Sequence, residues 1–296
     1  MSTNVATAKP RSFLAFLQAP SVMVLFLWMI VPLAMTIYFA FIRYSLLNPD
    51  ISGFAGMENF QFLWEDPAFF PSIWNSIILV GSVLIITVVA GTALAVLYDS
   101  NFFGNKVAAL LVIAPFFVMP TVSALIWKNM IMHPVYGLIA LTLQKLGLPG
   151  IDFFGEYPLL SIIIIVSWEW TPFAFLVHFT AIKSFDQDQK EAAIVDGAGP
   201  VQLFFSLILS HLSRAIGVVV MIESIFLLSI FAEIHTTTSG GPGTASTNLT
   251  YLIYSLGLRQ FDIGIASAGG ILAVVLANIV AYFLVKILAK GLKQGS

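Results

Sequence analysis

Long apolar blocks alternate with short polar stretches along the whole chain, and within the blocks the apolar residues are continuous rather than every second one. Runs of this kind predict helices that cross a bilayer, not barrel strands, whose residues alternate between lipid and lumen. The pattern predicts six helices, at about 18–43, 72–98, 106–132, 158–183, 212–233 and 263–288, each long enough to span with some tilt. Pro20, closing RSFLAFLQAP, predicts a break between an interfacial segment and the first span. Pro32, Pro115, Pro120 and Pro172 predict kinks, which are tolerated where a neighbouring helix or a cavity satisfies the freed carbonyls.

Composition agrees with the pattern. With 59% hydrophobic and 9% charged residues over 296 positions, the chain is too apolar for a soluble domain, so its class is an all-α integral membrane protein. The absence of cysteine excludes disulfides, thiol catalysis and thiolate metal sites. The net charge of -2 is uninformative, but the absence of a basic face argues against nucleic acid as a partner. Lys9 and Arg11 precede a run too long for a signal peptide and lacking a small-residue cleavage site, which reads as an uncleaved first span. Placing both termini in the cytoplasm puts Lys9, Arg11, Lys106, Lys183, Lys190, Arg214, Lys286, Lys290 and Lys293 inside and only Arg43, Lys128, Lys145 and Arg259 outside, the bias expected of a multi-pass protein. The organisation is then a cytoplasmic segment at 1–17, one membrane domain at 18–290 with its core at roughly 72–288, and a cytoplasmic tail at 291–296.

The loop between the fourth and fifth spans, about 186–210, carries EAAIVDGAGPVQLFFSLILSHL. Residues 187–195 predict a short helix. Ala192 and Ala193 give it a small-residue face, Gly197 and Gly199 supply a turn that glycine makes most cheaply, and Pro200 suits the first turn of the next helix. A helix, a turn and a second helix at the membrane surface, with Glu191 pointing outward, suit a groove on a cytosolic partner. The plainer reading is a loop whose glycines end a helix, and glycine and alanine spacing alone favours it.

Polar residues inside the spans are the other candidates, because an ionisable group in lipid is a functional hypothesis by default. In WEWTPFAFLVH, Glu169 lies near mid-span between Trp168 and Trp170; it fits either a hydroxyl acceptor beside a stacking ring or a bond between helices with the tryptophans as packing. Glu223, with Ser224, sits equally deep in the fifth span and fits a solute contact or an interface with a partner chain. Asn278 joins this pathway set, with polar glue between helices as its other reading, and Asn75 reads as glue. His178 and His211 read as structural hydrogen-bonding groups, since no carboxylate and histidine cluster surrounds either, and no metal site is expected. Outside, an acidic and aromatic segment covers 48–68, a short amphipathic helix is expected near Leu138–Leu146, and HTTTSGGPGTASTNLTYLIY opens as a Gly-Pro turn. An ion-coupled secondary transporter of a small polar solute, with Glu169 and Glu223 carrying protons, is the alternative function, although the chain lacks the inverted repeats such folds carry. A membrane enzyme would need a catalytic cluster that is not seen.

The full loop pattern resembles the EAA signature of binding-protein-dependent ABC permeases: Glu191, Ala192, Ala193 and Gly197 match it, and Leu207 and Leu209 fall on its aliphatic positions. Ser210 stands where that pattern has proline, a departure that bears on the bend into the fifth span. FAGMENFQFLWEDPAF, VIAPFFVMPTVSALIWKNMIMHPVYGL, TTTSGGPGTASTNLTYLIY and FDIGIASAGGILAVV resemble other segments of the same family, so the likeness covers roughly 12–290. It is the sugar branch, similar to the maltose-system permease. In IAPFFVMPTVSAL and FAEI with GGPGTA it looks like the sorbitol/mannitol polyol permeases.

That resemblance implies a six-helix type I importer permease in the bacterial inner membrane that takes up a carbohydrate, foremost a polyol. It implies that Glu191, Ala192, Ala193, Asp196 and Gly197 couple to a cytosolic ATPase pair. It implies a second homologous permease chain, and a periplasmic solute-binding protein that touches Gly240, Gly241, Pro242 and the 48–68 segment. The chain carries no G-x-x-x-x-G-K-[ST], so ATP and Mg belong to the ATPase and no cofactor is expected here. The chain is then a transport subunit and not an enzyme.

Overall fold

A computed structural model of the chain describes residues 11–50, 52–100 and 102–294; Lys9, most of the expected N-terminal segment and the last two residues of the tail lie outside these. Helix α1 (Arg11–Ala40) leads into a minimal antiparallel ladder, β1 (Ile42–Arg43) with β2 (Gly53–Phe54), in which Ile42 pairs with Phe54 and Arg43 with Gly53. Helix α2 (Glu58–Glu65) and the long α3 (Phe69–Asp99) follow. Next come α4 (Asn105–Ile113), α5 (Pro120–Ile126), α6 (Leu138–Lys145), α7 (Phe153–Glu156) and α8 (Pro158–Lys183). The chain ends with α9 (Gln187–Val195), α10 (Pro200–Leu203), α11 (Leu209–Leu227), α12 (Ala232–Thr237), α13 (Leu249–Tyr254) and α14 (Ile263–Gln294). Among the described residues five helices are long and apolar enough to cross a membrane, and they number six if the bent pair Asn105–Phe117 and Pro120–Ile131 is counted as one span.

Three of the expected helices differ in detail. The first does not break at Pro20: α1 continues through Pro20 and Pro32. A proline removes one N–H, whereas ending a helix within an apolar run strands several backbone groups. The Thr36 hydroxyl donates to the Pro32 carbonyl at 2.9 Å. The third expected helix is instead two limbs. α4 tightens into a 3-10 turn at Ala114–Phe117, α5 relaxes into a π turn at Trp127–Ile131, and the limbs meet at 108°. Pro120 is the cause, since the residue before a proline is pushed out of the helical region, and Met119 is extended at ψ 135°.

The fifth span begins at Pro200 and ends at Leu227, not at 212 and 233. Ser210 keeps the N–H that a proline would lack, and the helix passes through it, with the Ser210 hydroxyl donating to the Ser206 carbonyl at 3.0 Å. The early end is held by side chains that satisfy the last carbonyls: Thr250 donates to Leu228 O at 2.9 Å and Asn248 to Ile230 O at 2.6 Å. Helices at Gln187–Val195 and Leu138–Lys145 stand where the pattern placed them.

The described residues form two compact units. In the first, which runs to Leu63 and includes Leu256–Ile271, Asn59 donates to the carbonyls of Ala40 and Ile42, both at 2.9 Å, and so ties α2 to the end of α1. The N–H groups of Ile263 and Gly264 reach Tyr44 O at 3.1 Å, and Asp262 caps α14 by accepting from Ile265 N at 2.9 Å. A side chain on Gly264 would meet Ile42 O and Asn59, which is why glycine stands there. In the second unit α3 and α8 form the most extensive helix pair, and Leu79, Val83, Ile162, Val166, Leu227 and Ile234 make its main core. A second core, Ala95, Tyr98, Phe175, Ile182 and Leu212, lies at the other end of the same helices.

Candidate functional site

The first candidate is the turn from α9 to α10. Asp186 caps α9 by accepting from Asp188 N at 3.0 Å. The helix stops at Gly197, whose φ of 87° lies in the left-handed region, and Ala198 N closes the turn on Ala193 O at 3.0 Å. Pro200 then occupies the first turn of α10. Glu191, Ala192, Asp196 and Gly197 are exposed and Ala193 is half-buried. Ile194, Val195 and Val201 are also exposed, at 56%, 86% and 69%, so the turn presents an apolar patch beside its acids. It is held at its base by Asp99, the last residue of α3, which accepts from Lys183 at 2.8 Å and from Lys190 at 3.2 Å.

The second candidate lies within the helices. Glu169 of α8 is buried, and Ser123 of α5 and Glu233 of α12 face it closely enough to interact. Glu169 Oε1, Ser123 Oγ, Ser167 Oγ and Trp127 Nε1 are buried without a hydrogen-bond partner among the described residues. Trp168 packs edge-on against Trp127 at 5.8 Å, and Trp170 sits among Phe116, Phe173 and Phe226. Glu169, Ser123 and Glu233 thus bring carboxyl and hydroxyl groups together on helices that also carry Trp168 and Trp170. Lys128, two residues beyond α5, donates to the carbonyls of Thr236 and Thr237 at 3.1 and 2.7 Å and so anchors the end of α12.

Glu223 is placed apart from this cluster. It accepts from Thr87 of α3 at 2.6 Å and is fully buried, while Ser224 bonds to Val220 O of its own helix. Asn278 is exposed and donates to Val274 O one turn back at 2.8 Å, and among the described residues it makes no bond to another helix. Asn75 does act as glue, donating to Thr244 O and Thr247 O at 2.9 and 3.0 Å, though to a loop and not to a helix. His178 shares a hydrogen bond with Thr92 at 3.1 Å, and His211 Nε2 lies 2.9 Å from Ala181 O. Gly240 is buried with φ 83°, where a side chain would meet Thr247 and Tyr251, whereas Pro242 is exposed at the tip of the same loop. The sequence reading missed Glu233 and Ser123. A charge at the edge of an apolar run was the available signal for Glu233, and its inclusion in the fifth helix hid it.

The architecture is that of the type I ABC importer permeases. It matches a crystal structure of a bacterial ABC transporter involved in the import of the acidic polysaccharide alginate, with a TM-score of 0.81 at 24% identity over 95% of this chain and 96% of that one. In sequence, residues 6–294 match the family of the binding-protein-dependent transport system inner membrane component, and the chain belongs to that family. Among its relatives, the sulfoquinovosyl glycerol transport system permease protein SmoG of Agrobacterium fabrum is 28% identical over 260 residues, 87% of this chain and 84% of the relative. The sn-glycerol-3-phosphate transport system permease protein UgpA of Yersinia enterocolitica is 30% identical over 227 residues, 76% and 77% of the two chains. The chain is thus a multi-pass permease subunit of the inner membrane, not an enzyme, and as a permease it carries no cofactor of its own. The ion-coupled alternative falls with this membership.

Proposed function

We propose that this chain is one of two homologous permease subunits of an ATP-driven importer and that residues 18–290 act as its single permease domain. The α9–α10 turn, with Glu191, Ala192, Ala193, Asp196 and Gly197, docks in a cleft of a cytosolic ATPase. The observation that carries this reading is the exposed apolar patch of Ile194 and Val195 on a short, acid-bearing helix braced by Asp99. Such a patch outside the spans needs a protein partner to cover it. With α9 inside the cell both termini are cytoplasmic, and the Gly240–Pro242 loop and the 48–68 segment face a periplasmic binding protein. Closure of the ATPase pair on ATP draws the two coupling turns together and opens the pathway outward; hydrolysis resets it.

The solute on this reading is a neutral polyhydroxylated carbohydrate, foremost a polyol such as sorbitol or mannitol. Both relatives named above carry glycerol, itself a polyol, in their substrates' names. Glu169, Glu223 and Glu233 are buried carboxyl groups, which can exchange hydrogen bonds with the hydroxyls of such a solute. Glu169, with Trp168 and Trp170, is the favoured contact; Glu223, Ser224 and Asn278 are secondary. The test is ATPase activity of the reconstituted complex, with and without binding protein loaded with sorbitol or mannitol. Stimulation by the loaded protein, lost in Glu191→Lys and shifted in apparent affinity by Glu169→Gln, is expected. Full stimulation in an assembled Glu191→Lys complex overturns the docking assignment, and stimulation by another sugar alone overturns the polyol.

A further inference from the structure

The ends of α3 and α8, the start of α11 and helix α9 border an open pocket of about 280 Å³ lined by Asp99, Lys183, Phe185, Gln187, Lys190 and His211. Asp99 is the one acid in that lining, and both of its carboxylate oxygens are taken: Oδ1 by Lys183 at 2.8 Å, Oδ2 by Lys190 at 3.2 Å. Two ammonium groups thus share one carboxylate, which leaves a positive charge uncompensated. Each ammonium has three donors. Lys183 also reaches Asp99 O at 3.4 Å, and Lys190 makes no other bond among the described residues. His211 Nε2 is already engaged, 2.9 Å from Ala181 O and 3.3 Å from Ser184 Oγ, so the lysines are the donors this lining can spare. The acids of the α9 start, Asp186 and Asp188, are exposed and do not line the cavity.

We propose that this cavity binds a phosphate-bearing anion, held by Lys183 and Lys190 in competition with Asp99. A phosphate offers three acceptor oxygens to spare lysine donors and supplies the negative charge the lining lacks; lysine serves such groups as a point charge. Its source is a phospholipid headgroup or a soluble phosphate compound. Occupancy draws Lys190 from Asp99 and loosens α9 from the end of α3. That consequence for coupling rests on the functional reading above; binding itself does not.

The experiment is amine-reactive labelling of the full-length protein in nanodiscs, quantified at Lys183 and Lys190 by mass spectrometry with Lys106 and Lys145 as references. One arm uses phosphatidylcholine discs titrated with inorganic phosphate against chloride at matched ionic strength. The other replaces part of the phosphatidylcholine with phosphatidylglycerol, without phosphate. Protection of Lys183 and Lys190 by about twofold or more over the references is expected in at least one arm: the first identifies a soluble anion, the second a headgroup. Asp99→Asn removes the competitor and lowers the half-protecting concentration about twofold to fivefold, the range one partly exposed charge pair is worth. Unchanged reactivity of both lysines in both arms, or equal protection of the references, overturns the proposal, and neither result depends on transport or on the variant folding.

Discussion

Gly91 and Gly81 lie on the same helix, α3, and offer a controlled test of how α3 and α8 are packed. A Cβ on Gly91 would sit 2.6 Å from Ala174 Cβ and 2.9 Å from the backbone of Ala174 and Phe175, whereas one on Gly81 would meet nothing within 4 Å. Alanine at either position gains the same helix propensity, about 1 kcal/mol in water, so that contribution cancels in the difference between the two variants. What remains is overpacking against backbone, which cannot rotate away as a flexible side chain can, and costs about 1 to 3 kcal/mol. In lipid the pair has no hydrophobic drive to hold it together, and close approach over small residues is what its association depends on. Gly91→Ala is therefore expected to be less stable than Gly81→Ala by about 1 to 3 kcal/mol. The assay is unfolding of each purified variant by sodium dodecyl sulfate titration in mixed micelles, followed by circular dichroism. Equal midpoints for the two variants would refute the reasoning, because they would mean that α3 and α8 do not touch at Gly91.

Two further outcomes are expected. Thr87→Val keeps the volume but removes the donor to Glu223, and should destabilise the protein by about 0.6 kcal/mol, the average for hydrogen bonds between membrane helices, and by no more than about 1.7 kcal/mol. Glu223→Gln, which keeps an acceptor oxygen, should stay close to the parent in the same titration; the reverse order would assign the stabilisation to charge rather than to the bond. Because the chain has no cysteine, single cysteines at Ala198 and Ser239 can report sidedness directly. A membrane-impermeant maleimide added to intact cells should label the second and spare the first, and labelling of the first alone would invert the orientation.

The α9 turn was legible because its determinants are local. An aspartate cap, alanines, a glycine at positive φ and a proline in the first turn act within a few residues of one another, so the pattern Asp186–Pro200 already contains the geometry. The spans were legible for a related reason: a bilayer imposes a length and a polarity that a linear chain displays openly. Prolines were ambiguous. Pro20, Pro32 and Pro172 sit inside continuous helices while Pro120 marks a 108° turn, and the sequence around each does not tell them apart.

What the chain's own order of residues determined, then, was the class, five of the apolar spans and the exposed turn, since each depends on near neighbours or on the solvent. What only the tertiary structure decided was which distant groups meet. Glu169 faces Glu233 and Ser123 because α8, α12 and α5 converge. Glu223 turns to Thr87, Asp99 gathers Lys183 and Lys190, and Asn248 ends the fifth span from beyond it. Each of these pairings joins residues far apart in the chain. In an apolar medium each polar group bonds to whichever partner packing brings within reach, and packing is a property of the whole.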